Sequence, residues 1–193
     1  MSLWDLSDGR CLETVKLQNV HTAIHTYHSI EHEIRFFCNG YYAEIIVVDG
    51  NNLEILFTLN SKLNPDWISA IHVLRPTKSQ EDVVIGLSIA GVMKVWTLNG
   101  MEGKSLEPIF ENESKPIRCL NALHLTCCSY NQRTLLIVCS KYWQIYDVGD
   151  FALLCSVENR KSERWSGGEF ISTDRVVIFS DNGKAYLYKL PSQ

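Results

Sequence analysis

The run Tyr42 to Leu59, YAEIIVVDGNNLEILFTL, decides the fold. Its first part, Tyr42 to Val48, is apolar and rich in β-branched side chains, which sit well on a pleated strand. Asp49-Gly50-Asn51-Asn52 then supplies turn chemistry, and Leu53 to Leu59 is apolar again. Asp-Gly between two apolar stretches is a hairpin signal, because glycine reaches positive φ without a steric penalty. The reading is two antiparallel strands and a tight turn.

The same unit recurs along the chain. Ser2 to Leu6 precedes Ser7-Asp8-Gly9 and a second strand from Cys11 to Leu17. Val92 to Leu98 ends at Asn99-Gly100, and Leu106 to Phe110 follows after a looser acidic segment. Tyr142 to Val148 meets Gly149-Asp150 and continues as Phe151 to Val157, and Lys184 to Leu190 is a last copy. The ring or branched side chain near each strand's end falls at Trp4, Val48, Trp96, Tyr146 and Tyr188, at intervals of 44, 48, 50 and 42 residues. Between the hairpins lie paired strand candidates: His21 to Tyr27 with Ile34 to Cys38, Trp67 to Leu74 with Val83 to Ile89, Ile117 to Leu125 with Leu135 to Cys139, and Gly168 to Ile171 with Val176 to Phe179.

Four short strands per repeat at this period predict an all-β, WD40-type β-propeller. About four blades of four-stranded antiparallel sheet are expected, as an incomplete part of a larger seven-bladed propeller. The expected division is a blade remnant over 1–17, blades over 20–60, 66–111 and 116–158, and a partial blade over 165–191. No stretch sustains a helical apolar period, which excludes a helical repeat.

Composition agrees. The 193 residues are 46% hydrophobic and 21% charged, which suits one folded core rather than a disordered chain. A formal charge of -4 gives no basic excess for nucleic acid. The most apolar runs, Ile45 to Val48 and Leu135 to Val138, are strand-sized and too short for a membrane helix. The opening MSLWDLSDGR lacks the basic and apolar regions of a signal peptide. Seven cysteines, an odd number, read as free thiols in a reducing compartment.

Catalytic constellations do not emerge. His21, His25, His28 and His32 are spaced for one face of a helix, but Thr22, Ile24, Thr26 and Tyr27 favour a strand, where His28 points away from His21 and His25. Cys127 and Cys128 are adjacent, so their side chains diverge on a strand. Gly167-Gly168 lacks the lysine and hydroxyl of a phosphate loop. Glu81-Asp82 and the Glu111, Glu113 pair read as solvated loop acids rather than facing glycosidase carboxylates. No catalytic, cofactor-binding or metal residues are expected, and no cofactor.

What remains is blade structure and binding. Trp4-Asp5, Val48-Asp49, Trp96, Tyr146-Asp147 and Tyr188 are expected as structural blade positions, each ring packing between sheets and each acid closing a strand. Interaction is expected in two loops: the acidic segment with Glu111 and Glu113, and the charged run Arg160, Lys161 and Arg164 followed by Trp165.

Six runs go beyond the general blade pattern: Ser2-Leu-Trp-Asp-Leu-Ser-Asp-Gly-Arg-Cys11, Asn64-Pro-Asp-Trp-Ile-Ser69, Glu113-Ser-Lys-Pro-Ile117, Val138-Cys-Ser-Lys-Tyr-Trp143, Gly168-Glu-Phe-Ile-Ser172 and Tyr186-Leu-Tyr-Lys-Leu-Pro191. On these the chain resembles the rabconnectin-3 beta subunit family of WD-repeat proteins, and less closely a vertebrate relative linked to enamel formation. The resemblance implies a non-catalytic scaffold. It implies the rabconnectin-3 alpha subunit and vacuolar proton-pump subunits as partners, in pump assembly, vesicle acidification or trafficking. It also implies a cytoplasmic location on vesicles, with peripheral membrane association through those partners. The competing functions are a substrate adaptor of a ubiquitin ligase, which needs a ligase-linker motif outside the propeller, and a propeller hydrolase.

Overall fold

The computed structural model describes residues 1–29, 31–75, 81–98, 105–112, 121–159 and 162–191. Every regular element in them is a strand. They are β1 (Ser2–Trp4), β2 (Cys11–Thr14), β3 (His21–His28), β4 (Ile34–Gly40), β5 (Tyr42–Asp49), β6 (Ile55–Leu59), β7 (Ile68–Leu74), β8 (Asp82–Ser88) and β9 (Met93–Leu98). They continue as β10 (Ser105–Leu106), β11 (Phe110–Glu111), β12 (His124–Cys127), β13 (Thr134–Val138), β14 (Tyr142–Asp147), β15 (Leu153–Glu158), β16 (Trp165–Ser172), β17 (Arg175–Ser180) and β18 (Ala185–Lys189).

The strands group into a two-stranded ribbon β1-β2 and four blade sheets, ordered β10-β6-β5-β4-β3, β11-β9-β8-β7, β12-β13-β14-β15 and β16-β17-β18. The runs β3 to β6, β7 to β9, β12 to β15 and β16 to β18 each follow one another in order as a meander, and β10 and β11 are added at the edges of the first two. This is an all-β fold of the WD40 propeller type, with about four blades. The chain divides into two compact units. One holds Met1–Ile68, Arg75–Val84 and Val95–Glu111, and the other holds Ser69–Leu74, Ile85–Lys94 and Asn112–Gln193.

In the first unit, Cys38, Tyr42, Ile46, Val48 and Leu53 form a buried cluster, and Met1, Leu3 and Val15 of the opening ribbon pack on it. Alternation along β4 and β5 sends these side chains to one face. In the second unit, Leu136, Val138, Trp143 and Ile145 of the third blade meet Trp165, Phe170, Val176 and Ile178 of the fourth. Each such large apolar side chain contributes about 1.5–3 kcal/mol by leaving water. Gly168 lets β16 pack closely on β17 within the fourth blade: a Cβ there would lie 2.6 Å from Ile178 Cδ1 and 2.9 Å from the Val177 carbonyl oxygen, with Leu136 Cδ2 of the third blade at 3.4 Å.

One expected strand divides in two. Leu106 to Phe110 contains Pro108, which has no N–H to donate to a ladder. On its near side β10 runs parallel to β6, pairing Ser105 with Thr58 and Leu106 with Leu59. On its far side β11 joins β9. The Asn60 side chain sits against this added strand, with Ser105 Oγ 2.9 Å from its amide and the Asn60 N–H donating to the Leu106 carbonyl at 3.0 Å.

A second departure is Asp82. Expected in a solvated loop, it opens β8 at 1% exposure. Its carboxylate accepts hydrogen bonds from Tyr27 Oη and, at 2.9 Å each, from Arg75 Nε and Nη2, while Arg75 also donates to the His28 carbonyl. Burial pulls the Asp82 carboxyl upward most strongly, but the Arg75 and Tyr27 hydrogen bonds together outweigh it and hold the group below the ordinary range. Burial first, then Asp82, pushes the Tyr27 phenol up to about 12.

Candidate functional site

A propeller offers two sets of loops for recognition, one at each end of its strands. The first set is built on the acids expected to close strands. Asp5, Asp49 and Asp147 follow one plan. Each backbone N–H donates five residues ahead, to Arg10 (2.8 Å), Glu54 (2.8 Å) and Ala152 (2.9 Å). Each backbone carbonyl accepts from the residue four ahead, Gly9 (2.9 Å), Leu53 (3.0 Å) and Phe151 (2.9 Å). Each Oδ1 accepts a third bond two residues ahead, from the N–H of Ser7 (2.8 Å), Asn51 (2.7 Å) and Gly149 (2.7 Å).

The plan demands positive φ at the fourth position, found as 70° at Gly9, 59° at Leu53 and 55° at Phe151. Only the first uses glycine. Gly50 and Gly149, which read as the turn residues in sequence, are not the left-handed ones. The aspartates therefore act on backbone N–H groups, and their chemistry is that of turn caps.

The rings near these strand ends differ in setting. Val48, Trp96 and Tyr146 are buried, Tyr188 is half-buried, and Trp4 is 56% exposed. Trp96 Nε1 donates to the Asn60 carbonyl at 3.3 Å, Tyr146 Oη donates to Gln144 Oε1 at 2.7 Å, and Tyr188 meets Trp143 edge-on at 4.9 Å.

Of the expected interaction residues, Glu113, Arg160 and Lys161 lie outside the described residues. Glu111 is half-buried in β11. Arg164 is part of a cleft of about 700 Å³ lined also by Lys141, Tyr142, Glu158, Asn159, Ser162 and Glu163. Its backbone exchanges bonds with Asp181: the Asp181 N–H donates to the Arg164 carbonyl at 2.8 Å, and the Arg164 N–H donates to Asp181 Oδ1 at 3.2 Å. Trp165 belongs to the core at 4% exposure, edge-on to Tyr186 at 5.4 Å, so it presents no ring to a partner. The sequence pattern hid this because the pairing of β16 slips between Trp165 and Gly167, which breaks strict alternation.

One residue lining this cleft is Glu163, which sequence reading treated as one charge among several. It pairs with Lys184 at 3.0 Å and accepts from Asn182 at 2.8 Å and Tyr186 Oη at 2.8 Å. The Lys184, Tyr186 and Asn182 hydrogen bonds, in that order, lower its pKa. It is a fixed anion that ties the loop to β18.

The histidines do not assemble. His21 shares a 2.7 Å hydrogen bond with Tyr42 Oη, His28 lies on the opposite face of β3, and His32 sits in a turn at φ 63°. Among the described residues no group of three or more His, Cys, Asp or Glu side chains could hold a metal ion.

At the other end of the first unit's strands, Tyr41 and Trp67 lie together with ring centroids 5.2 Å apart and planes at 41°. Both are exposed, at 61% and 44%. Sequence reading took Trp67 as the start of a strand and did not single out Tyr41. The available signal was Pro65-Asp66-Trp67-Ile68, a run outside the blade pattern.

Blade sheets whose turns are closed by capping aspartates define a class: a WD-repeat protein-interaction module. No family model matches the chain. It is similar to human WD repeat-containing protein 72, 34% identical over 190 residues that make up 95% of this chain and 17% of the relative. The mouse protein of the same name is 34% identical over 189 residues, and that of Pongo abelii 33% over 189. The chain thus spans 17% of the length of the curated relatives it matches. These relatives overturn the resemblance to the rabconnectin-3 beta subunit.

Proposed function

We propose that the chain is the docking portion of a larger non-catalytic scaffold that works in the cytoplasm and reaches vesicle membranes through protein partners. The observation that carries the scaffold reading is the repeated turn plan at Asp5, Asp49 and Asp147, which fixes loop backbones by three hydrogen bonds each. Fixed loops lose little conformational entropy on binding, so they suit recognition. The similarity to WD repeat-containing protein 72 along nearly the whole chain supports the same reading.

A part in assembling or regulating the vacuolar proton pump is a narrower assignment. Nothing in the blade geometry speaks for it, and it enters as one arm of the test. The experiment is affinity purification of the folded chain from a membrane-containing cell extract, with quantitative mass spectrometry against a heat-unfolded control. The scaffold reading expects a small set of proteins retained by the folded chain and lost with the unfolded one. Identical sets would overturn it. Recovery of pump subunits would support the narrower assignment, and their absence from a reproducible partner set would remove it.

A further inference from the structure

The charged run before β16 is not absorbed by blade packing. It reads Asn159-Arg160-Lys161-Ser162-Glu163-Arg164. Ser162 is the one serine or threonine of the chain directly preceded by two basic residues. Protein kinases choose among hydroxyls by the charge pattern around them, and an acidic substrate groove selects one that follows basic side chains. Arg160 and Lys161 enter here as sequence alone, since both lie outside the described residues.

Ser162 itself is presented for such a reaction. It is exposed, and its hydroxyl has no hydrogen-bond partner among the described residues. Its loop is tied at both ends to the turn between β13 and β14. The Asn159 N–H donates to the Lys141 carbonyl at 2.7 Å, and the Trp165 N–H donates to the Ser140 carbonyl at 2.8 Å. The Asn159 side chain also donates to the Glu163 carbonyl. Ser166, which follows Arg164 by two residues, is placed differently. It lies within β16, and its Oγ donates to the Phe179 carbonyl at 3.2 Å.

The cleft that Ser162 lines can receive a phosphate. Lys141 and Arg164 line it too, both exposed, and neither side chain has an ion-pair partner among the described residues. Glu163, the anion next to Ser162, is already balanced by Lys184 at 3.0 Å and held by Asn182 and Tyr186. Asp181 is engaged with the Arg164 backbone. Among the described residues, Glu158 is the lining carboxylate left without a partner. Two open cations against one open carboxylate suit a group with nearly two negative charges and three acceptor oxygens.

We propose that Ser162 is a phosphorylation site for a basophilic serine kinase, and that Lys141 and Arg164 hold the phosphate it acquires. The donor is a nucleoside triphosphate. A bond forms between Ser162 Oγ and the γ-phosphorus, and the bond from that phosphorus to the bridging oxygen breaks. The nucleoside diphosphate leaves, and the hydroxyl proton passes to the base of the kinase. The phosphate then joins the loop before β16 to the β13–β14 turn by charge-assisted hydrogen bonds. This goes beyond the scaffold reading and does not depend on it, because no cellular partner enters the test.

The full 193-residue chain is treated with a purified basophilic kinase and ATP, and the sites are mapped by peptide mass spectrometry. Ser162 is expected to carry the phosphate. Replacing Arg160 and Lys161 together by alanine should lower its incorporation about tenfold. The phosphorus resonance of the modified chain is then titrated with pH. Its midpoint is expected about half a pH unit below that of the same phosphoserine in a peptide of residues 158–166. Lys141→Ala alters an exposed side chain absent from that peptide, and it should remove about half or more of the difference. A native chain unmodified at Ser162, a midpoint equal to that of the peptide, or a midpoint that Lys141→Ala does not move would overturn the proposal.

Discussion

Replacing Asp82 by alanine tests a fully buried carboxylate that accepts hydrogen bonds from two other side chains. The substitution removes the acceptor of Tyr27 Oη and of two Arg75 bonds at 2.9 Å. Arg75 has half of its side chain in solvent and recovers water. Tyr27 is buried, so its hydroxyl is left without an acceptor. An unsatisfied buried hydroxyl costs about 1–3 kcal/mol, and a hydrogen bond to a charged group about 1.5–3 kcal/mol. The expected loss for Asp82→Ala is therefore about 3–4 kcal/mol. Tyr27→Phe leaves the Arg75 pair in place and should cost about 1–2 kcal/mol. Because the two groups serve one bond, the double variant should lie near Asp82→Ala, with a coupling of at least about 1 kcal/mol.

Urea unfolding followed by circular dichroism, with the slope checked for constancy, reads these values. The pH dependence adds a second readout. The folded carboxyl of Asp82 lies below its unfolded value, so its contribution is present above about pH 4 and lost as pH falls further. The Tyr27 phenol is raised to about 12, so its contribution is complete below about pH 10 and lost as pH climbs toward 12. Strict additivity, or an Asp82→Ala variant within about 0.5 kcal/mol of the parent, would refute the reasoning.

Gly40→Ala places a methyl 2.0 Å from a carbonyl oxygen of the backbone, which cannot turn aside. It should lower stability by about 3 kcal/mol, seen as a drop in melting temperature. Asp147→Ala removes the cap on the Gly149 N–H and should cost about 1 kcal/mol, read by the same melt. Burial pushes the Cys38 and Cys127 thiols up to about 11. Both should react with a thiol reagent at neutral pH about a hundredfold or more slower than in the urea-unfolded chain, with peptide mapping to assign the sites.

The repeat was legible in sequence because strand period and turn residues agree at every level. Tyr42 to Val48, for example, carries the β-branched content of a strand, and Asp49 directly after it caps the turn. The positive φ positions were not legible, since Leu53 and Phe151 are side chains that a local reading never places in the left-handed region. They tolerate it because the surrounding hairpin bonds fix the backbone. Asp82 was misread for a related reason: its partners Tyr27 and Arg75 come from other parts of the chain, and a single carboxylate at a strand's start looks solvated until they arrive. Trp165 failed through the slipped pairing beside Gly167, and Leu106 to Phe110 through Pro108. Trp67 was noticed as unusual, but its ring neighbour Tyr41 comes from a separate turn, which no local pattern encodes.

The central claim is that this chain is a series of meander blades of the WD type with capping aspartates at recurring turns, and residue-resolved amide hydrogen exchange tests it most directly. The account predicts slow exchange in the central strands β4, β5, β8, β9, β13, β14 and β17. It predicts fast exchange in β1, β2 and β10, and slow exchange at the turn amides of Leu53 and Phe151 that bond back to Asp49 and Asp147. Uniform fast exchange, or protection that does not recur with the blades, would contradict it.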